Sequence, residues 1–327
     1  MKIFYAIQAT GNGHISRAAQ LYPFLQKYGE VDFFLSGNNS TLNFPFPVKY
    51  RSKGLSLYYS KCGDLEYKKI LTNIHLFSVY KTAQSLPMRQ YDVIINDFEF
   101  ITALACKLQK TKSIQFGHQA SFQSSNTPRP ENKNIIGEII LKNYAKAQTY
   151  LGLHFQSYDD FIYPPIIKNE FLVKDPVDKG HITVYLPAYK EHCLLMAFKK
   201  LPDLLFHWFL PHVKQAYSDG NITYFPVDQS LFNESLLTCH GIFTGGGFET
   251  PSEALYLGKQ LMSIPINKHY EQMCNGAALK QMGVSVLDKI DANFSDQIED
   301  WSNGPKLNIQ LKANNISDTI QRVLAQY

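Results

Sequence analysis

Residues 240–283 read HGIFTGGGFETPSEALYLGKQLMSIPINKHYEQMCNGAALKQMG. A short apolar strand, Gly241–Thr244, runs into the turn Gly245-Gly246-Gly247. A helix follows over Pro251–Leu257, then a strand over Gln260–Ile266 and a helix over Glu271–Met282. The glycines stand where a strand ends and a helix begins. There, backbone N–H groups and the helix dipole favour a phosphate. Thr250-Pro251-Ser252-Glu253 reads as a capping box with proline at the first helical position, and Gly258 as the stop. Glu253 therefore has a structural task. It also lies within a turn of the glycines, where a carboxylate accepts both hydroxyls of a ribose. Composition leaves both open.

The rest of the chain repeats this rhythm. Apolar runs at Lys2–Gln8, Val31–Ser36, Tyr91–Asp97, Lys112–Gly117 and Thr149–His154 predict strands in the first half. His181–Pro187, Leu204–Leu210, Asn221–Val227 and Val284–Leu287 join the two strands above in the second half. Many are continuously apolar, as strands covered on both faces are. Helical patterns at Ile15–Tyr28, Ile101–Gln109 and Tyr189–Lys200 lie between them, the first interrupted by Pro23, where a kink is expected. Alternating strands and helices predict an α/β protein with two doubly wound, Rossmann-like parallel sheets. Pro164-Pro165 and the polar stretch to Gly180 suggest a first domain over 1–162, a hinge over 163–180 and a second domain over 181–309. The last segment, 310–327, carries a helical stretch at Ser317–Ala325.

A second glycine turn, Gly11-Asn12-Gly13, follows the first strand. As a dinucleotide fingerprint it is poor. Ser16 replaces the third glycine, and the second strand ends in Phe34-Leu35-Ser36 without the acidic residue a ribose needs. NAD is therefore disfavoured. A tight strand–helix turn and a phosphate or acceptor loop both remain open readings. His14 follows directly, at a helix N-terminus, where the cation is disfavoured and a neutral base is favoured. Asp97 ends another strand, on the edge where open α/β sheets bind ligands. It either orients His14 or caps the next helix.

The totals exclude several classes. A net charge of +4 over 327 residues offers no nucleic-acid footprint. Five scattered cysteines (Cys62, Cys106, Cys193, Cys239, Cys274) form no disulfide or zinc pattern and read as small buried hydrophobes. The N-terminus lacks a signal-peptide pattern, and no apolar run reaches the ~20 residues of a membrane span. A soluble, cytoplasmic protein is expected. Within Ser52–Lys81, Lys53, Lys61, Lys68, Lys69 and Lys81 alternate with apolar residues. This reads either as a solvated helix face or as a peripheral membrane contact admitting a lipid-linked acceptor.

GGGFETPSEALYLGKQLMSIP followed by HYEQMCNGAAL resembles the donor-binding signature of GT-B glycosyltransferases. The resemblance is to the branch containing the peptidoglycan GlcNAc transferase and the plant-type UDP-glycosyltransferases. GNGHISRA resembles that family's first glycine loop. The likeness implies two Rossmann-like domains and an inverting, metal-independent hexosyl transfer from a nucleotide sugar, UDP-linked by resemblance, to an unidentified hydroxyl acceptor. No further cofactor is implied, but a C-terminal helix within 310–327 that packs back on the first domain is. It implies that Gly245, Gly246, Gly247, Phe248 and Thr250 meet the diphosphate and Glu253 the ribose. Pro226 and Val227 would border the base, and Glu271 and Gln272 the sugar, with Asn275 in support. His14 would be the base and Asp97 its orienting partner. Gly11, Asn12, Gly13 and His118 fall where phosphate or acceptor contacts occur. Glu271 departs from the peptidoglycan enzyme's glutamine. A UDP-sugar 2-epimerase, drawing on Asp97, Glu99 and Glu138, and a non-catalytic nucleotide-sugar binding subunit are the competing readings.

Overall fold

The computed structural model describes residues 1–9, 11–37, 44–54, 76–309 and 311–327. The first half builds a sheet from β1 (Lys2–Gln8), β2 (Glu30–Ser36), β3 (Tyr50–Ser52), β4 (Val93–Asp97), β5 (Ile114–Gly117), β6 (Thr149–Leu153) and β7 (Ile162–Tyr163). Their order is β3-β2-β1-β4-β5-β6-β7, all parallel. The second half adds β8 (His181–Tyr185), β9 (Leu205–Leu210), β10 (Tyr217–Asp219), β11 (Ile222–Pro226), β12 (Gly241–Thr244), β13 (Gln260–Ser263) and β14 (Ser285–Val286). Their order is β10-β11-β9-β8-β12-β13-β14, parallel except for β10. Each sheet winds outward from one central strand and then jumps back beside it. The switch points therefore fall between β1 and β4 and between β8 and β12.

The described helices are α1 (Asn12–Leu25), α2 (Leu76–Ser85), α3 (Phe100–Gln109), α4 (Ile135–Asn143), α5 (Asn169–Val173) and α6 (Glu191–Phe198) in the first part. They continue with α7 (Gln229–Thr238), α8 (Glu249–Tyr256), α9 (Tyr270–Gln281), α10 (Phe294–Asn303) and α11 (Ile316–Leu324). In β1, Ile3, Tyr5 and Ile7 enter one apolar cluster while Phe4 and Ala6 enter another. Side chains alternate across the pleat, so a strand covered by helices on both faces must be apolar at every position. Removing the Phe4 ring would cost about 3–5 kcal/mol. The cluster holding Ile3 also contains Ile166, Ile167 and Phe171 from the connecting segment and Ile242, Leu255 and Leu261 from the second half. The two halves thus share a continuous apolar seam. Ile320 and Val323 of α11 join it, and Tyr327 Oη donates 3.0 Å to the Ile94 carbonyl.

Several local expectations change. α8 begins at Glu249, with Phe248 as its N-cap residue and no side-chain cap. Thr250 and Glu253 therefore form no capping box; Glu253 is instead ion-paired with Lys168. α1 continues through Pro23 and ends two residues beyond it. α4, α7 and α10 were not read from the sequence. Two of them carry ordinary caps: Asn134 accepts from Gly137 N and Asp228 from Leu231 N, each at 2.9 Å. Cys106, Cys239 and Cys274 are buried, but Cys193 is exposed, and Cys62 lies outside the described residues. So do Lys61, Lys68 and Lys69 of the basic segment. No described helix is long and apolar enough to cross a membrane.

Candidate active site

The first switch point assembles a charged cluster. β1 pairs with β4 so that Ile7 stands beside Asp97, at the carboxyl ends of both strands. The chain turns at Gly11 into α1 and presents His14 within the first helical turn. His14 Nδ1 lies 2.8 Å from Asp97 Oδ1. Arg17, one turn along α1 on the same face, sends Nη2 to Asp97 Oδ1 at 2.7 Å and Oδ2 at 2.8 Å. Both Arg17 and Asp97 are buried. Burial alone would push the Asp97 carboxyl up, but the adjacent Arg17 and His14 charges hold it below its ordinary value. Arg17 stays protonated despite burial because Asp97 and Glu249 flank it.

Two backbone features make room for this cluster. Gly117, at the end of β5, has φ +151°, and a β-carbon there would lie 2.6 Å from Asp97 Oδ1. Phe98, a non-glycine residue, sits at φ +55° directly after Asp97. Such strain persists where surroundings enforce it, as at functional sites. Glu99 then caps α3, accepting from the N–H groups of Ile101 (2.8 Å) and Thr102 (2.6 Å). The capping task considered for Asp97 thus belongs to Glu99.

The second switch point holds the glycine turn. Gln272 Oε1 accepts from Gly246 N at 3.2 Å and from Ile266 N at 2.9 Å. Asn275 Nδ2 donates 2.9 Å to the Gly246 carbonyl. A β-carbon at Gly246 would meet the Gln272 backbone at 2.7 Å, so glycine is required for this approach. Gln272 and Asn275 thereby hold the turn, and the Gly246 N–H is already engaged. The first-turn N–H groups of α8 have no acceptor within the helix.

The halves meet through polar pairs. His118, buried in the turn after β5, faces the Leu153 carbonyl at 3.0 Å and Asn275 Oδ1 at 2.8 Å. Its ring stacks on Phe248 with centroids 4.1 Å apart. Burial pulls the His118 pKa below its ordinary value even though Glu271 opposes this. Gln119 donates 3.1 Å to Glu271, and Tyr270 Oη donates 2.7 Å to Glu138. Arg17 also donates to Glu249. Lys168 donates to Glu253 and to Asn233 Oδ1, both at 3.1 Å. Burial raises the Glu253 pKa, with Lys168 opposing.

Two adjoining cavities lie along this meeting line. One, of about 100 Å³, is bordered by Asn12, Tyr185, Val227, Phe232, Thr250 and Glu253. The other, of about 180 Å³, is bordered by His14, Arg17, Phe98, His118, Glu271 and Gln272. Gly13 and Glu249 border both. The sequence-selected residues therefore divide into two groups. Asn12, Val227, Thr250 and Glu253 line the first cavity, with Pro226 ending the neighbouring strand. Gly11, His14, His118, Gly247, Phe248, Glu271 and Gln272 line the second. Asp97, Gly246 and Asn275 support them from behind through the bonds above, with Gly245 opening the turn after β12.

Arg17, Lys168, Tyr185, Gln119 and Glu249 were not singled out. Arg17 carries a usable signal: it follows His14 by one helical turn, and an arginine on a helix face turned to the sheet needs a buried acid. Lys168 and Gln119 carry none, since their partners lie 85 and 152 residues away.

Two seven-stranded α/β sheets, each with a central switch point, form the GT-B fold of glycosyltransferases. The chain belongs to glycosyl transferase family 1, whose family model matches residues 1–302. It is a glycosyltransferase. Arabidopsis thaliana UGT89C1 complexed with UDP is similar in structure, with TM-score 0.63 and 13% identity, over 99% of each chain. Phytolacca americana UGT2 complexed with UDP-2-fluoro-glucose and pterostilbene aligns with TM-score 0.60 and 14% identity, over 100% of this chain and 99% of that one. Glycosyltransferase VinC in complex with dTDP aligns with TM-score 0.55 and 10% identity over the whole of both chains. At such identities the likeness is one of fold. No curated protein matches the sequence significantly.

Proposed function

We propose that the enzyme transfers a hexosyl group from a nucleoside-diphosphate sugar to an acceptor hydroxyl with inversion and without a metal ion. The observation that carries this reading is that His14, backed by Asp97, lines the same cavity as Gly247, Phe248 and Glu249 at the start of α8. A nucleoside in the first cavity and a sugar in the second would leave the diphosphate between them, at the start of α8. UDP, a UDP-sugar analogue and dTDP in the structurally similar proteins support a nucleotide-sugar donor. A uridine or thymidine diphosphate is favoured accordingly.

Asp97 selects the tautomer in which Nδ1–H of His14 donates to its carboxylate, and Arg17 Nη2, 2.9 Å from that nitrogen, spends its hydrogens on the same carboxylate. Nε2 then keeps its lone pair. The acceptor hydroxyl gives its proton to Nε2 as its oxygen bonds to the anomeric carbon. The bond from that carbon to the phosphate oxygen breaks, and its electron pair leaves on the nucleoside diphosphate. N–H groups at the start of α8 stabilise the charge that develops there. Glu253 receives the ribose hydroxyls in place of part of its bond to Lys168. Val227, beyond the end of β11 at Pro226, borders the base together with Tyr185 and Phe232. Glu271 meets the sugar. Segment 163–180 serves as the hinge between domains 1–162 and 181–309.

An epimerase would need acid–base carboxylates freely facing the second cavity, whereas Glu249 and Glu271, which line it, accept from Arg17 and Gln119. Glu99 caps α3, Glu138 is bound by Arg129 and Tyr270, and Asp97 by Arg17 and His14. Those engagements favour transfer. A lipid-linked acceptor is supported by one exposed face beside α9. α4 packs against Tyr270 through Gly137 and exposes Ile135, Ile136 and Ile139 (75%, 49% and 55%), flanked by Lys133, Lys142 and Lys146. Apolar side chains ringed by lysines suit an anionic membrane surface.

Thermal-shift titration with UDP, dTDP, GDP, ADP and NAD, with and without EDTA, tests the donor assignment. At 100 times its dissociation constant, a ligand stabilises by about 2.7 kcal/mol. An EDTA-insensitive shift with UDP or dTDP is expected. A shift with NAD alone, or with no diphosphate, would overturn the reading.

A further inference from the structure

The boundary between the two cavities is occupied by an acidic side chain. Gly13 and Glu249 line both cavities and so stand where the two adjoin. A β-carbon at Gly13 would fall inside the Glu249 carboxylate, which therefore lies directly on the α1 turn. Glu249 is the first residue of α8, in the position best suited to a bound anion. Its Oε1 accepts from Nη1 of Arg17, a guanidinium that belongs to the opposite half and is 97% buried. A carboxylate held by an arginine at a helix start has the charge and hydrogen-bonding capacity of one phosphate oxygen pair.

Resting on the donor assignment above, we propose that Glu249 is an internal stand-in for the donor diphosphate and that Arg17 is a further phosphate-binding residue. Two anions cannot share the interval between Gly13 and Arg17. Donor binding swings the Glu249 carboxylate, whose side chain is 26% exposed, away toward solvent. Arg17 keeps Asp97 through Nη2 and Nε and turns the freed Nη1 to a phosphate oxygen. The same guanidinium then links the leaving diphosphate to the carboxylate that orients His14. In the empty enzyme, the Arg17–Glu249 pair clasps the two halves across the line through which the donor enters.

This exchange assigns opposite signs to its two partners. Calorimetric titration of wild type, Glu249→Gln and Arg17→Lys with UDP, dTDP and the matching nucleosides separates them. Glu249→Gln removes the competing charge from a partly exposed helix start, so it should bind the diphosphate at least tenfold more tightly. Its affinity for the nucleoside should stay within twofold of wild type. Arg17→Lys should weaken the diphosphate at least tenfold and likewise spare the nucleoside. Unchanged or weaker diphosphate binding by Glu249→Gln would overturn the stand-in role, whatever the folding of the Arg17 variant. If wild type binds neither diphosphate, the donor assignment itself fails, which is a different result from wild type binding UDP and the glutamine variant gaining nothing.

Discussion

His14 Nδ1 and Asp97 Oδ1 lie 2.8 Å apart, and the same carboxylate oxygen takes Arg17 Nη2 at 2.7 Å. Asp97 thus serves two cations or potential cations at once. Its replacement has two separable consequences. Asp97→Asn should lower kcat by two or more orders of magnitude, because the amide no longer selects the productive tautomer. It should also destabilise the fold by about 3–5 kcal/mol, since Arg17 remains buried without its main counter-charge. Steady-state kinetics and denaturant unfolding measure the two effects independently.

Acid should act through the same residue. The Asp97 carboxyl is held below its unfolded value of about 3.9 by Arg17 and His14. A depressed carboxyl pKa contributes stability that is fully present above the unfolded value and is lost as pH falls through the folded value. Glu99 and Glu253 have raised values and act with the opposite sign. Unfolding free energy followed from pH 6 to pH 3 should therefore fall less steeply below pH 4 in Asp97→Asn than in wild type. An identical slope would remove Asp97 from the acid response.

Gly117 should tolerate no side chain. Alanine would place a methyl group 2.6 Å from Asp97 Oδ1 and 3.2 Å from Arg17 Nη2, at φ +151°. Gly117→Ala should lose activity and stability together, whereas alanine at Gly180, where a β-carbon meets nothing within 4 Å, should cost only the strain of its positive φ. Melting temperatures of the two variants provide the comparison.

The sheets were legible because burial on both faces writes itself into sequence. β1 and β12 are apolar or small at nearly every position, and their glycine exits lie at the switch points. The elements not read follow a physical rule too. β10 is three exposed residues, Tyr217–Asp219, held by its antiparallel pairing to β11, and it carries no apolar pattern. α4 shows isoleucines on its outer face, so its periodicity does not point to a core. At the site, residues adjacent to a glycine turn were visible, since turn chemistry is local. Glu249 carries no separate signal beside the conventional cap that Thr250 offers, yet the helix starts one residue before Thr250. Lys168 and Gln119 act through contacts that only the folded chain creates.

The exposed face of α4 should bind anionic membranes. Co-sedimentation with vesicles of phosphatidylglycerol and phosphatidylcholine should retain the wild-type protein at low salt and release it at high salt. Ile135→Glu combined with Ile139→Glu should abolish retention without altering nucleotide affinity. Wild-type protein that stays in the supernatant with these vesicles would remove the membrane from the account.

The most direct test of the whole account needs no acceptor. Wild type and His14→Ala are titrated with the preferred nucleoside diphosphate, and the slow hydrolysis of the matching nucleotide sugar is followed for both. Water replaces the acceptor at the same base, so His14→Ala should bind the diphosphate within twofold of wild type while hydrolysing the sugar about 10²–10⁴-fold more slowly. Hydrolysis unchanged in the variant would contradict His14 as the base and, with it, the mechanism proposed for this site.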